Sequence, residues 1–202
     1  MRVGLQAHHS IQAMSIDYLV EKRLRSMDRA AAISGPNVGS AAMNRDLVRA
    51  AILDEAAIIC STLRFSGASV FSRMNRGFDV VIIDEAAQAV EPTTLVPLAH
   101  GYKQVILVGD PIQLPTTVLS SKDEQFGYGM SLFKRFQLAD YPVQMLKTQY
   151  RMHPEIRESP SREFYSEALE DGEDVLHQTK RAWHEYHCFG SFSFFDIEGE
   201  ES

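Results

Sequence analysis

Cysteine is scarce in this chain, which has only Cys60 and Cys188 among its 202 residues. Two cysteines do not make the disulfide framework of small secreted domains, and their scarcity fits a reducing compartment. No run approaches the ~18 consecutive apolar residues of a membrane-spanning helix. Residues Met1–Ser10 also lack the apolar core of a signal peptide. We therefore expect a protein that is neither membrane-spanning nor secreted.

Basic residues are also few relative to acidic ones, with 20 Lys and Arg against 27 Asp and Glu, which gives a formal net charge of −7. No overall basic field indicates a nucleic-acid partner, although this balance leaves room for a local basic groove. Hydrophobic residues make up 45% of the chain and charged residues 23%, which is ordinary for a globular protein. The length suits one domain and a little more.

The stretch Phe78–Gln88 organises the rest of the chain. Its four consecutive β-branched residues, Val80–Ile83, show no polar alternation, which predicts a central parallel strand buried on both faces. Asp84 and Glu85 follow at the carboxyl end of this strand, where ligands bind in open α/β sheets. A pair of acids there is costly unless it holds a cation or a reacting water. The alternative is a solvated turn after a core strand.

A second stretch of the same design, Gln104–Pro115, lies downstream. It is again an apolar strand that ends in an acid, Asp110. Gly109 allows close approach of the backbone, and prolines stiffen the loop that carries Gln113. Because parallel strands present their carboxyl ends at one edge, we expect Asp84 and Glu85 to lie beside Asp110 and Gln113.

The remaining pattern alternates between helices and strands, with a loop at 33–44. This alternation predicts a parallel α/β sheet. The predicted helices span residues 8–32, 45–56, 86–99 and 131–137, and a helical region runs from Pro154 to Leu169. The predicted strands span 57–60, 79–83, 104–108, 143–146 and 191–197.

Three motifs occur in a fixed order: Asp84–Gln88, Gly109–Pro115 and Gln149–Pro154. Together they resemble motifs II, III and IV of superfamily 1 helicases, in the senataxin-like branch that also contains the nonsense-decay helicases. The resemblance covers roughly residues 45–202. It implies an α/β fold with a RecA-like parallel sheet of the P-loop NTPase type, flanked by helices and partial in this chain.

The resemblance also implies a domain organisation. Residues 1–44 would form a helical segment of the stalk or insertion type. Residues 45–148 would form part of the first RecA-like, ATP-binding domain, and residues 149–202 the start of the second.

In the resembled family, the first two motifs bind ATP and Mg²⁺. Asp84 would hold Mg²⁺, a hard cation that needs few carboxylates and shares phosphate oxygens. Glu85 would orient or deprotonate the attacking water. Gln113 would sense the γ-phosphate, and Asp110 would belong to the same nucleotide-binding set.

The third motif implies further nucleotide contacts. Arg151 would stabilise charge on the transferring phosphoryl group, as a bidentate guanidinium does well. Tyr150 would stack near the adenine, and Gln149 would belong to the nucleotide-binding set.

A hydroxyl-rich segment at residues 61–67 resembles a nucleic-acid-contacting motif of these helicases. Ser61 and Thr62, with Ser66 nearby, would bind the backbone of a single strand. Such short hydroxyl contacts position a strand without reading its sequence.

The sequence departs from the family pattern at the phosphates. The phosphate-binding loop G-x-x-x-x-G-K-[ST] does not occur, and the nearest segment, Gly35–Ser40, has no lysine and the wrong spacing. The family's last motifs, with their arginine finger, are also absent. We therefore expect weak or no catalysis by these 202 residues. We also expect residues 105–108 to form an exposed apolar edge that promotes aggregation.

Three functional hypotheses follow. The first is a fragment of an ATP-dependent helicase that translocates on single-stranded RNA or DNA, within the cell nucleus or cytoplasm. The second is a degenerate, non-catalytic module that binds nucleic acid or protein partners. The third is a truncated gene product without a function of its own. The choice between RNA and DNA and the direction of movement stay open.

Overall fold

A computed structural model describes residues 9–34, 41–196 and 199. These residues divide into two compact units, Met1–Tyr141 and Pro142–Ser202. None of the helices within these ranges has the length and apolar character needed to cross a bilayer.

Two helices open the first unit. A 3₁₀ turn at His9–Met14 leads into α1, Ile16–Ser34, and α2 spans Ala41–Glu55. Both helices were predicted, but α2 begins earlier than residue 45. The glycine-rich segment at residues 35–40 lies outside the described residues.

An apolar core of the first unit lies between α1, α2 and the segment after α2. Apolar residues recur at helical spacing on both helices, so each presents one apolar stripe to the other. Ion pairs flank the contact: Arg23 binds Glu55 at 2.7 Å, and Arg49 binds Asp17 at 3.0 Å. The buried members of this core are Ile16, Val20, Val48, Ile52, Leu53 and Phe71.

Strands β1, Phe78–Ile83, and β2, Tyr102–Leu107, form a parallel pair joined through helix α3, Glu91–Leu98. Val81 lies opposite Val105, and Ile83 lies opposite Leu107. The predicted parallel arrangement is confirmed. It places the carboxyl ends of both strands at the same edge.

The prediction that β1 is buried on both faces is wrong. Ile83 is buried, but Val80 is 45% exposed and Ile82 is 65% exposed. Ile106, which lies opposite Ile82 on β2, is also exposed, as is Val108 just after that strand. The β-branched side chains of this strand are suited to burial on both faces, but burial also requires other elements to pack on each face. The described residues pack on only one face of the strand.

Helix α3 is shorter than the predicted 86–99. Pro92 lies in its first turn, where a missing N–H costs nothing. A helix running through Pro92 from residue 86 would force the proline ring against the carbonyl four residues earlier. The chain at residues 84–88 therefore forms a turn and is available as a functional loop.

Two short helices complete the first unit: α4, Ser121–Gln125, and α5, Leu132–Leu138. Ser131 caps α5, since its hydroxyl accepts a hydrogen bond from the backbone N–H of Lys134 at 3.1 Å. This agrees with the predicted helix near 131–137.

The second unit contains a parallel pair of two-residue strands, two α-helices, and 3₁₀ turns at Ala182–Glu185 and His187–Phe189. Strand β3, Thr148–Gln149, pairs with β4, Glu170–Asp171. Helix α6, Pro154–Phe164, lies between them in sequence, and α7, Val175–Thr179, follows β4. The predicted extension of the α6 region to Leu169 is wrong, because residues 165–168 form a turn with positive φ at Ser166 and Glu167.

Three predicted strands do not form. Residues 57–60, 143–146 and 191–196 show no extended ladder, while Ile197 lies outside the described residues. Apolar content is not enough for a strand, because its backbone groups must also pair with a neighbour. In the described structure, the ladders are those of β1 with β2 and β3 with β4, and residues 57–60 contribute an isolated bridge at Cys60.

Candidate functional site

Two acids leave β1 at its carboxyl end. Ile83 is buried, and the next residues, Asp84 and Glu85, are exposed. The Asp84 carboxylate accepts a 3.0 Å hydrogen bond from the backbone N–H of Glu85, and the Gln88 amide donates to the Glu85 carboxylate at 2.8 Å. Glu85 has φ of +52°, a left-handed conformation that costs energy for a residue with a side chain. Both carboxylates are thus oriented in a tight, strained turn.

The end of β2 is bound directly to this turn. The N–H of Val108 donates to the carbonyl of Ile83 at 2.8 Å, and the N–H of Ala86 donates to the carbonyl of Val108 at 2.8 Å. A Cβ on Gly109 would lie only 2.8 Å from the backbone nitrogen of Ala87. Glycine is therefore required at position 109 for the two strand ends to lie this close.

Asp110 organises the loop that follows β2. Its carboxylate accepts hydrogen bonds from the N–H of Ile112 and from the side-chain amide of Gln113, both at 2.9 Å. Gln113 is exposed, and its amide orientation is set by Asp110. Asp84, Glu85, Asp110 and Gln113 thus follow two hydrogen-bonded strand ends at one edge, as expected from the sequence.

This edge is not a metal cage made of protein alone. Among the described residues, no three His, Cys, Asp or Glu side chains lie together as a metal-binding group. The edge instead offers exposed carboxylate oxygens, which are hard donors suited to a cation that also keeps waters and phosphate oxygens.

The hydroxyl-rich segment places its three predicted contact residues differently. Ser61 and Thr62 are exposed, whereas Ser66 is buried and its hydroxyl donates to the carbonyl of Leu63. His100 reaches the carbonyl of Ser66 at 2.6 Å and connects this segment to the end of α3. In this conformation Ser66 stabilises the turn. The Ser61 hydroxyl donates to the carbonyl of Thr62 at 3.1 Å, and the Thr62 hydroxyl accepts from the N–H of Phe65 at 3.4 Å.

In the second unit, Gln149 shapes the loop that carries Tyr150 and Arg151. Its side-chain oxygen accepts from the N–H of Arg151 at 2.9 Å and from the N–H of Met152 at 2.7 Å. Its side-chain nitrogen donates to the carbonyl of Met152 at 2.9 Å and to Asp171 at 2.6 Å. The amide therefore makes four hydrogen bonds within the protein, which defines the path of residues 150–152.

Asp171 connects this loop to α6. Arg157 donates two hydrogen bonds to its carboxylate, at 2.9 and 3.3 Å, and both side chains are largely shielded from solvent. The hydrogen bond from Arg157 lowers the pKa of Asp171 below its ordinary value, and the hydrogen bond from Gln149 lowers it further. The carboxylate stays charged at neutral pH and accepts from both partners.

The residues that Gln149 supports are exposed. Arg151 and Tyr150 both project from the loop into solvent, and Tyr150 is 70% exposed. Sequence reasoning anticipated these two side chains and missed the supporting pair, Arg157 and Asp171. Asp171 pairs with Arg157 across 14 residues and with Gln149 across 22, and pairings over such separations have no local signature.

Comparison with known proteins identifies the family. Residues 38–121 and residues 128–202 each match a family model described as an AAA domain. A probable helicase of Arabidopsis thaliana, MAGATAMA 3, is 59% identical over the whole of this chain, which covers 24% of that protein. The human probable helicase senataxin is 41% identical over 58% of this chain and 5% of its own length. The chain belongs to the senataxin-like helicases of superfamily 1.

A relative with lower sequence identity is a homologue of a regulator of nonsense transcripts. The regulator of nonsense transcripts 1 homologue of Drosophila melanogaster is 35% identical over 83% of this chain and 14% of its own length. Membership confirms the predicted P-loop NTPase fold, here seen as mixed α/β with short parallel strands. The chain spans about a quarter or less of these senataxin-like and related helicases.

Proposed function

We propose that the protein to which these residues belong hydrolyses ATP and uses the energy to translocate on, or unwind, single-stranded RNA or DNA. The observation that carries the proposal is that the carboxyl ends of β1 and β2 are hydrogen-bonded to each other. Asp84 and Glu85 come directly after β1, and Asp110 and Gln113 come shortly after β2. Acids and amides on adjoining strand ends are the expected apparatus for binding a nucleotide and reporting its state.

ATP and Mg²⁺ fit the chemistry of this edge. The exposed carboxylate of Asp84 would hold the Mg²⁺ ion, with phosphate oxygens and waters as the other ligands. When bound, Mg²⁺ neutralises charge that develops on the phosphates. The fit rests on oxygen donors that are open to solvent and oriented by the turn.

Glu85 is the proposed base that orients or deprotonates the attacking water. Its carboxylate is held by the Gln88 amide at 2.8 Å, so its direction is defined before substrate arrives. Such preorganisation reduces the rearrangement required in the transition state. The left-handed backbone conformation of Glu85 is strained, and such strain is common at functional sites.

Gln113 is the proposed sensor of the γ-phosphate. Its amide nitrogen is engaged by Asp110, which orients the side chain while leaving it exposed. Asp110 would then act in nucleotide binding indirectly. Its carboxylate orients Gln113 and accepts a hydrogen bond from the N–H of Ile112 in the same loop. A change at the γ-phosphate would move this loop as a unit.

Two exposed residues of the second unit are also proposed as nucleotide contacts. Arg151 would stabilise charge on the transferring phosphoryl group, and Tyr150 would stack on the adenine. Gln149 contributes by holding the N–H of Arg151 rather than through a free polar group, since all four hydrogen-bonding positions of its amide are engaged.

Ser61 and Thr62 are the proposed contacts to the sugar–phosphate backbone of the single strand. Both residues are exposed, as such contacts require, and each hydroxyl would exchange its bond within the segment for one to the strand. A nuclear or cytoplasmic location is also proposed, because Cys60 and Cys188 are free and exposed, which suits a reducing compartment.

The test is ATP hydrolysis, with Mg²⁺ and single-stranded RNA, by the protein to which these residues belong, compared with its Glu85→Gln variant. Turnover that RNA stimulates and that Glu85→Gln abolishes supports the proposal. Retained single-strand binding with no nucleotide binding and no turnover supports the alternative, a non-catalytic binding module. A Glu85→Gln variant as active as the wild type would contradict the assignment of Glu85 as the base.

A further inference from the structure

Gly172 lies directly against the ring of Tyr150. A Cβ built on Gly172 would be 2.2 Å from Cε1 of Tyr150, 2.4 Å from Cδ1 and 3.1 Å from Cζ. These distances are far below van der Waals contact, so the ring occupies the space of a side chain at position 172. The backbone of Gly172 is not in the left-handed region, so the contact with Tyr150 is what a side chain at this position would change.

The contact is held in place by the short sheet. The N–H of Gly172 donates to the carbonyl of Gln149 at 2.9 Å, and Gln149 pairs with Asp171 in the parallel register. The side chains of Gln149 and Asp171 are also hydrogen-bonded. Gly172 is therefore held beside Tyr150 by two hydrogen bonds to Gln149, one from its own N–H and one with the side chain of Asp171.

Support from one side leaves the ring available on the other. Tyr150 is 70% exposed although its edge rests on Gly172. An aromatic ring that is held on one side and exposed to solvent offers a flat surface for another planar ring. Nucleobases stack on such surfaces through their π-faces.

We propose that Gly172 is a positioning residue that holds the Tyr150 ring as the platform for the adenine of bound ATP. This inference rests on the proposed nucleotide-binding function and adds to it the element that determines where the base lies. Any side chain at position 172 displaces the ring by rotation about its own side-chain bonds. The loop path set by Gln149 and the position of Arg151 stay as they are.

The experiment measures the affinity of the 202-residue chain for ATP and for inorganic tripolyphosphate by ligand-observed NMR. The variants are Gly172→Ala, Tyr150→Ala, the double variant and Gly199→Ala, a control whose added Cβ meets no atom within 4 Å. Because stacking of a base on an aromatic ring contributes roughly 1–3 kcal/mol, we expect Gly172→Ala to weaken ATP binding by about 5- to 150-fold. Tripolyphosphate binding is expected to stay unchanged.

The double variant separates positioning from general damage. Once Tyr150 is alanine, no ring remains to displace, so Gly172→Ala should have no further effect on ATP affinity. Loss of tripolyphosphate binding in Gly172→Ala would overturn the inference, because the variant would then be disturbing more than the base. Gly172→Ala with wild-type ATP affinity would overturn it as well.

Two further outcomes concern the ligand. If Gly172→Ala weakens binding of a single-stranded RNA oligomer but not of ATP, the platform serves a base of the strand, and the assignment to adenine is wrong. If the wild-type chain binds tripolyphosphate but shows no preference for ATP, no base is being stacked and the inference fails. Absence of all binding by the wild type would instead remove the proposed function of this chain, and the inference with it.

Discussion

The side-chain amide of Gln149 donates a 2.6 Å hydrogen bond to the carboxylate of Asp171. Arg157 binds the same carboxylate at 2.9 Å, so a charged pair orients the amide. The other end of the amide accepts the N–H groups of Arg151 and Met152. The conformation of an exposed loop therefore depends on an ion pair that lies behind it.

We expect Asp171→Asn to destabilise the protein by about 1.5–3 kcal/mol at pH 7, the range of hydrogen bonds to charged groups. The pKa of Asp171 is lowered in the folded state, chiefly by the hydrogen bond from Arg157. The stabilisation is therefore fully present above the unfolded-state pKa and is lost as pH falls through the lower, folded-state value. The free energy of unfolding in urea, measured at pH 7 and at pH 3 or below, should show a smaller difference between variant and wild type in acid.

A matched control is Glu163→Gln, which makes the same change of carboxylate to amide. Glu163 pairs with its neighbour Arg162 at 3.0 Å, but both side chains are more than half exposed. Solvent screens such pairs, so we expect a change within about 0.5 kcal/mol. Equal effects of the two variants would show that the Asp171 pair has no special role in this loop.

Gly109→Ala tests the junction of the two strand ends. The added Cβ would lie 2.8 Å from the nitrogen of Ala87 and 3.1 Å from that of Ala86, and backbone atoms cannot move aside as a flexible side chain does. We expect a loss of about 1–3 kcal/mol in the free energy of unfolding, as for other overpacked sites. Chemical denaturation provides the measurement. A variant as stable as the wild type would mean that the turn at residues 84–87 is free to shift.

Glu85→Gly should separate stability from activity. Glycine adopts the left-handed conformation of Glu85 without the cost of about 1–2 kcal/mol paid by other residues, but it loses more entropy on folding, so we expect a net gain of about 0.5 kcal/mol. Any ATP hydrolysis should disappear with the carboxylate. Asp140→Gly, at φ of +56°, should raise thermal stability similarly without affecting hydrolysis. A destabilised Glu85→Gly variant would argue that the turn depends on the bond between Glu85 and Gln88.

The exposed face of the two-stranded sheet should promote self-association. Within the described structure, β2 pairs only with β1, and Ile82 on the open face is 65% exposed. We expect concentration-dependent association in sedimentation velocity, reduced by Ile82→Thr. Leu119→Thr, at a residue that is 99% exposed but not on the sheet, should leave association unchanged. A monodisperse wild-type monomer at high concentration would contradict the prediction.

The sequence by itself determined the chemistry of the first strand-end edge. An apolar run followed at once by Asp84 and Glu85, and a second run followed by Asp110 and Gln113, predicted parallel strands with polar residues at a shared edge. The parallel pairing of β1 with β2 confirms that arrangement. These features are readable because strand and turn preferences are local, and because parallel strands align their ends.

Only the tertiary structure decided what depends on distant partners. Burial of Val80 and Ile82 requires a layer that local pattern does not specify, and the predicted strand at residues 143–146 failed for lack of a neighbour. The support of Tyr150 by Gly172 joins residues that have no local relation. The local conformational preference of a residue follows from its type, but the atoms that surround its side chain are decided by the folding of the whole chain.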